Sequence, residues 1–251
     1  MQITMNPTLD TFLLFVVRVG PGLILATLML FLVRREPRLR IVLYLAAFIL
    51  LRDAMTPLGL WSFGNRGFFW IRLHTDPAFL VVFGLLCFGL SLGLYYLDRA
   101  NQSLFKWTRG NVPFGLLWGI AGAAVVVAPF VAIYQFTAIE ARGGLVPVQN
   151  IPAIFAFALL GNLLEEALFR GYVLGHLEES RSPLKAGVSS GVVFAFCHIY
   201  LATTVTGIGY PLLVFTLWEG IIAGIVGAKG GVIPATLTHG GTIFLLSSGL
   251  I

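Results

Sequence analysis

Long apolar runs separated by short polar connections dominate the chain. Eight stand out, at residues 11–33, 41–61, 78–97, 113–135, 150–174, 184–203, 208–228 and 231–250. A helix crosses a bilayer with about 20 predominantly apolar residues, and these runs are of that order. The pattern predicts an all-α, polytopic transmembrane helix bundle of about eight spans. The second run is the weakest, because Arg52, Asp53 and Pro57 interrupt it. It reads either as a span or as a shorter helix followed by an interfacial segment. Residues 61–77 and 102–109 are aromatic and basic, as expected at a membrane–water interface. They are candidates for membrane-surface helices and suggest no catalytic role. No internal repeat, low-complexity tract or domain-separating linker stands out.

Composition agrees. The 251 residues are 58% hydrophobic and 11% charged, against about 25% charged in soluble domains. Mean hydropathy is +0.92. The net charge of +5 therefore bears on membrane topology and gives no reason to expect nucleic acid as a partner. Cys87 and Cys197 lie in apolar runs without metal-type spacing and read as small buried hydrophobes. The first run is read as a retained helix. Residues Met1 to Asp10 carry no Lys or Arg, the run is too long for a signal h-region, and basic residues follow it.

The basic residues assign sides. The first, third, fifth and seventh connections hold Arg34, Arg35, Arg38 and Arg40; Arg99, Lys106 and Arg109; Arg181 and Lys185; and Lys229. The intervening ones hold only Arg66, Arg72 and Arg142. By the positive-inside rule the odd-numbered connections are cytoplasmic and both termini lie outside. The expected location is a cytoplasmic membrane of prokaryotic type.

Inside this frame the fifth run carries Glu165-Glu166-Ala-Leu-Phe-Arg170. Two carboxylates and a guanidinium are costly in hydrocarbon, and such groups face a protein interior or a watery cavity and mark function. On a helix Glu166 and Arg170 share a face and should pair. Glu165 is turned away by about 100° and is free to work. The bland alternative is that both acids only make interhelical salt bridges. His198 and His239 lie singly in the sixth and eighth runs, and Glu219 in the seventh. At about 1.5 Å per residue, Glu165, His239 and His198 lie roughly 14, 12 and 21 Å from the cytoplasmic ends of their runs. Boundary error and tilt allow all three, with Glu219, to share one layer. Glu219 is either a partner for a histidine or a structural acid. The Gly220-x-x-x-Gly224 beside it permits close helix packing. A buried carboxylate and an imidazole can activate water, and a second imidazole can hold an oxyanion. The same groups are zinc-compatible, although no run carries H-E-x-x-H.

These residues resemble a known family. Glu165-Glu166-x-x-x-Arg170, then Phe194-x-x-x-His198, then Gly220-x-x-x-Gly224 leading to Gly230 and His239, is similar in order and spacing to the CPBP family. That family comprises the CAAX type II prenyl proteases and bacteriocin-processing enzymes, also called Abi. The resemblance covers about residues 150–245. It implies that 150–251 is a four-helix catalytic core and that 1–149 holds helices with no recognised motif. It further implies a glutamate-type intramembrane endopeptidase, with Glu165 as base and His198 beside it. Glu166 and Arg170 would hold the geometry, and His239 would help bind the oxyanion. No metal or soluble cofactor is expected. The expected partners are the bilayer and a membrane-anchored protein or peptide: a prenylated CAAX-type protein, a leader peptide or a C-terminal sorting signal. Many members have Asn four residues after the last histidine, where this chain has Ile243. Either Thr242, Glu219 or a backbone N–H supplies that donor, or the oxyanion site is weaker.

Two other readings fit fewer residues. A proton-coupled transporter would also need intramembrane Glu, His and Arg, but the polar groups sit in one half and no matching broken helices appear. An inactive immunity or scaffold protein of the same fold would account for Ile243. Arg18 is an isolated charge in the first run, expected to pair with Asp53 or to snorkel.

Overall fold

A computed structural model of the chain describes residues 7–64 and 69–251. Residues 1–6, part of the stretch tested above for a signal peptide, and Arg66 lie outside the described residues. The described residues are mainly helical: α1 (Pro7–Leu32), α2 (Pro37–Met55), α3 (Pro77–Leu97), α4 (Val112–Tyr134), α5 (Ile151–Glu166), α6 (Leu174–Glu178), α7 (Pro183–Phe196), α8 (Tyr210–Gly230) and α9 (Val232–Ser248). A π-helical stretch, Ala167–Val173, joins α5 to α6, and another, Leu201–Val205, follows α7. Among the described residues seven spans are long and apolar enough to cross a membrane. The eighth run folds as α9, which has 17 residues and is largely buried by its neighbours.

Local chemistry sets the helix starts. Proline occupies the first turn of α2, α3, α4, α5, α7 and α8, where its missing N–H is not needed and its φ is already helical. The side chains of Asp76 and Asn111 accept backbone N–H groups at the starts of α3 and α4, which fits their role as caps. Gly231 separates α8 from α9 at φ 97°. A Cβ there would lie 2.7 Å from the Lys106 carbonyl, so a larger side chain would push this junction away from residues 106–108.

Two connections differ from expectation. The described part of residues 61–77 holds two strands of a β-hairpin, not a surface helix: β1 (Trp61–Gly64) pairs antiparallel with β2 (Trp70–Leu73). The reason is a period of two. Trp61 pairs with Leu73 and Phe63 with Ile71, and alternate residues of a strand share a face. All four turn inward over the same cavity. Of residues 102–109, only Gln102–Leu104 form a 3-10 turn, and 105–109 are not helical. The carbonyls of Lys106 and Trp107 accept the N–H groups of Val232 and Ile233, first-turn donors of α9 that have no partner within their own helix. Phe105 is buried against Tyr172, ring centroids 5.5 Å apart.

Polar ties gather alternate connections at opposite ends of the bundle. At one end Arg40 pairs with Asp98 at 3.0 Å, Arg109 with Glu178 at 2.7 Å, and the Arg109 N–H donates to the Gly230 carbonyl. At the other, Arg72 donates to the Leu246 and Gly144 carbonyls, Asn150 to Thr75, and Thr8 to Asp76. The hairpin belongs to this second end.

The inner helices pack closely. Gly187 and Gly191 of α7 face Gly224 and Gly220 of α8; a Cβ on Gly224 would lie 2.2 Å from the Gly187 carbonyl oxygen. Small residues facing one another let membrane helices approach this closely. Hydrophobic clusters draw on both ends of the sequence, as where Ile41 and Tyr44 pack with Phe169, Tyr172 and Phe194. Cys87 and Cys197 are free thiols. Asp53 is held by Arg52 at 2.8 Å, while Arg18 is exposed on the outer surface of α1. The expected Arg18–Asp53 pair does not form, because Arg52 is adjacent and already buried beside that carboxylate.

Candidate active site

The fifth span positions three charges. Glu166 Oε1 accepts Arg170 Nη1 at 2.7 Å, and both side chains are fully buried. Arg170 Nη2 also donates to the Gly220 carbonyl at 2.8 Å, fastening this span to α8. Its guanidinium carbon lies 4.9 Å from the Phe194 ring centre. The π-helical stretch begins at Ala167, immediately after the acids. Such widened turns recur at functional sites.

Glu166 Oε1 has a second partner, His239 Nδ1 at 2.8 Å. The other imidazole nitrogen, Nε2, lies 3.6 Å from Glu219 Oε2. Arg170, Glu166, His239 and Glu219 thus form a chain across three spans. Desolvation of its charges is offset only because they are mutually paired.

Glu165 stands outside that chain. It is 7% exposed and lines a cavity shared with Arg52, Asn162, His198, Glu219 and His239. Its Oε2 is buried without a hydrogen-bond partner among the described residues. The cavity leaves about 50 Å3 for the centres of water molecules. A water needs roughly 10–15 Å3 on that measure, so a few fit. His198 Nδ1 lies 2.8 Å from the Phe194 carbonyl. A carbonyl only accepts, so Nδ1 carries the hydrogen, and Nε2 of the neutral ring is an acceptor. Phe194 fixes both imidazoles, with ring centres 4.4 Å from His198 and 5.4 Å from His239.

The position of the expected Asn offers no donor. Ile243 lines the cavity, while the Thr242 hydroxyl donates to the Thr238 carbonyl at 2.8 Å and does not line it. A cation from elsewhere does line it. Arg52, 2% exposed, donates through Nε to Asp53 Oδ1 and through Nη2 to the Cys197 carbonyl, each at 2.8 Å. Its Nη1 is buried without a partner among the described residues. Sequence reasoning treated Arg52 as an interruption of a span. The cost of a charge in hydrocarbon, which singled out Glu165, would have found it too. The hairpin residues Trp61, Phe63, Ile71 and Leu73 carried no such signal.

Among the described residues no group of three or more His, Cys, Asp or Glu side chains is placed to hold a metal ion.

A multi-span helix bundle of this kind is that of an integral membrane protein, and here carboxylates and imidazoles line a small cavity among its spans. Residues 147–245 match the family described as type II CAAX prenyl endopeptidase Rce1-like. The Bacillus subtilis (strain 168) protein named "Putative membrane peptidase YdiL" is 25% identical over 136 residues, which cover 50% of this chain and 55% of that protein. The chain therefore spans about half the length of the curated relative it matches. No solved structure matches. Both findings support the CPBP family, the one that the motifs resemble.

Proposed function

We propose that this chain is a glutamate-type intramembrane endopeptidase. It hydrolyses a peptide bond of a membrane-associated protein with a water activated between Glu165 and His198. The observation that carries the reading is the division of the two acids. Glu166 is tied to Arg170 and His239, whereas Glu165 faces a water-sized cavity beside an imidazole.

The water donates a proton to Glu165 as its oxygen adds to the carbonyl carbon. His198, its Nδ1 hydrogen engaged by the Phe194 carbonyl, orients that water through Nε2. The proton then passes to the leaving amine nitrogen as the C–N bond breaks. Groups of this kind contribute about 10²–10⁴-fold each. The developing oxyanion needs donors. Arg52 Nη1 and His239 Nε2 are the groups in place, and Arg52 stands in for the amide absent at Ile243. The site lies at mid-span, which fits a substrate that is itself in the membrane.

The test compares membranes bearing the wild type, Glu165→Gln and His198→Ala by terminal-peptide mass spectrometry at equal protein abundance. One membrane protein accumulating uncleaved in both variants supports the reading. Identical terminal peptides in all three would overturn it.

A further inference from the structure

We propose that the cavity faces the non-cytoplasmic side of the membrane, so that its substrates present the scissile bond from that side. The proposal rests on the endopeptidase reading for the word substrate, but its geometry stands independently.

The cavity extends in one direction from the mid-span acids. On α8 it is lined by Leu212, Phe215 and Thr216, all before Glu219; on α9 it continues from His239 to Ile243. On α5 it is lined by Phe157 and Asn162, both before Glu165, and beyond His198 by Leu201. Each of these lies toward the end of the bundle that holds the hairpin. Trp61, Phe63, Ile71 and Leu73 then close the cavity at that end. The opposite direction is sealed. Phe194 forms the floor, Arg170 bridges Glu166 and the Gly220 carbonyl, and the α7 and α8 backbones meet at Gly187 and Gly224. From Glu219 about 17 Å of tightly packed helix separates the site from the Gly230 end, at 1.5 Å per residue.

The two ends differ in charge. The hairpin end carries three basic residues in its connections, and Arg72 there is buried by its bonds to backbone carbonyls. The sealed end carries ten. Lys and Arg in short connections mark the cytoplasmic side. The ties from Arg40 to Asp98, Arg109 to Glu178 and Arg109 to Gly230 bring the first, third, fifth and seventh connections together at that end. The charge count therefore belongs to one physical face and not to a bookkeeping of loops. A lipidated C-terminus in the cytoplasm would meet the sealed floor. The class of substrate that fits is a membrane-anchored protein cut in the non-cytoplasmic half of the bilayer or just outside it. The cavity holds only a few waters, so it must widen to admit a peptide.

Single cysteines at the exposed positions Ser62, on β1, and Ser180, after α6, test this. Both are made in a chain whose two native cysteines are replaced by alanine, and probed with a membrane-impermeant maleimide. The Ser180→Cys result decides. Labelling only after permeabilisation is expected, with Ser62→Cys labelled in intact cells. Labelling of Ser180→Cys in intact cells overturns the proposal. The readout needs no catalysis, so it fails separately from the endopeptidase reading, which stands or falls on Glu165→Gln.

Discussion

The outer helices and the inner spans are all apolar enough to cross a membrane and differ in what their surfaces meet. In α1, α2 and α3 only 11%, 28% and 22% of the spanning window is buried inside the protein, whereas the spans built on α5 and α8 reach 56%. The outer helices turn most of their side chains to lipid, so hydropathy alone constrains them. The inner helices bury glycines, acids and imidazoles against each other, and each must fit a particular neighbour. Yet the division is not one between scaffold and site. Arg52 at the end of α2 and the hairpin after it reach the cavity from the outer part.

Several variants break or sharpen this comparison. Glu165→Gln should give the largest loss, about 10²–10⁴-fold in cleavage rate with unchanged abundance, measured on the protein that accumulates in the variant. Arg170→Ala should cost about 3–5 kcal/mol, because it removes the buried guanidinium from Glu166 and leaves that carboxylate with His239 alone. Thermal unfolding in detergent reads that cost. Arg18→Ala in the outer α1 should leave the midpoint where it was.

Arg52→Gln tests whether the outer region takes part in chemistry. We expect kcat to fall about 10²-fold or more, as when an oxyanion donor is removed, with KM nearly unchanged and partial recovery in Arg52→Lys. A rise confined to KM would return Arg52 to a packing role.

The smallest effect lies at the hairpin end, at the cap of α3. Burial pushes the Asp76 carboxyl up, but hydrogen bonds from Thr8 and from the Phe79 and Ala78 N–H groups, with His74 nearby, outweigh it and hold it below the ordinary aspartate range. Its stabilising contribution is therefore present above the ordinary value, near 3.8, and fades as pH falls through the lower folded value. Asp76→Ala should cost about 1 kcal/mol at neutral pH, as for other caps, and the difference from wild type should shrink in acid. A difference that grew as the pH fell would contradict this account of the cap.

Much of this arrangement was legible in the sequence for one physical reason. Charges in apolar runs are expensive, so Glu165, Glu166, Arg170 and Glu219 announced themselves, and helical spacing paired Glu166 with Arg170. The partner of His239 was not legible, because a lone imidazole on a helix does not say which neighbouring span it meets. The hairpin was mistaken for a surface helix because aromatic and basic residues suit both. Its alternation of Trp61, Phe63, Ile71 and Leu73 was the overlooked signal. Thr242 looked like a free donor in sequence but returns its hydrogen to its own helix, as buried threonines do.

The most direct measurement is single-turnover cleavage in lipid nanodiscs of the membrane protein that accumulates in Glu165→Gln cells. Purified wild-type protein should cut it at one bond, and Glu165→Gln, equally folded, should cut it at least about 100-fold more slowly. Equal rates for the two proteins would contradict the assignment of Glu165 as the base.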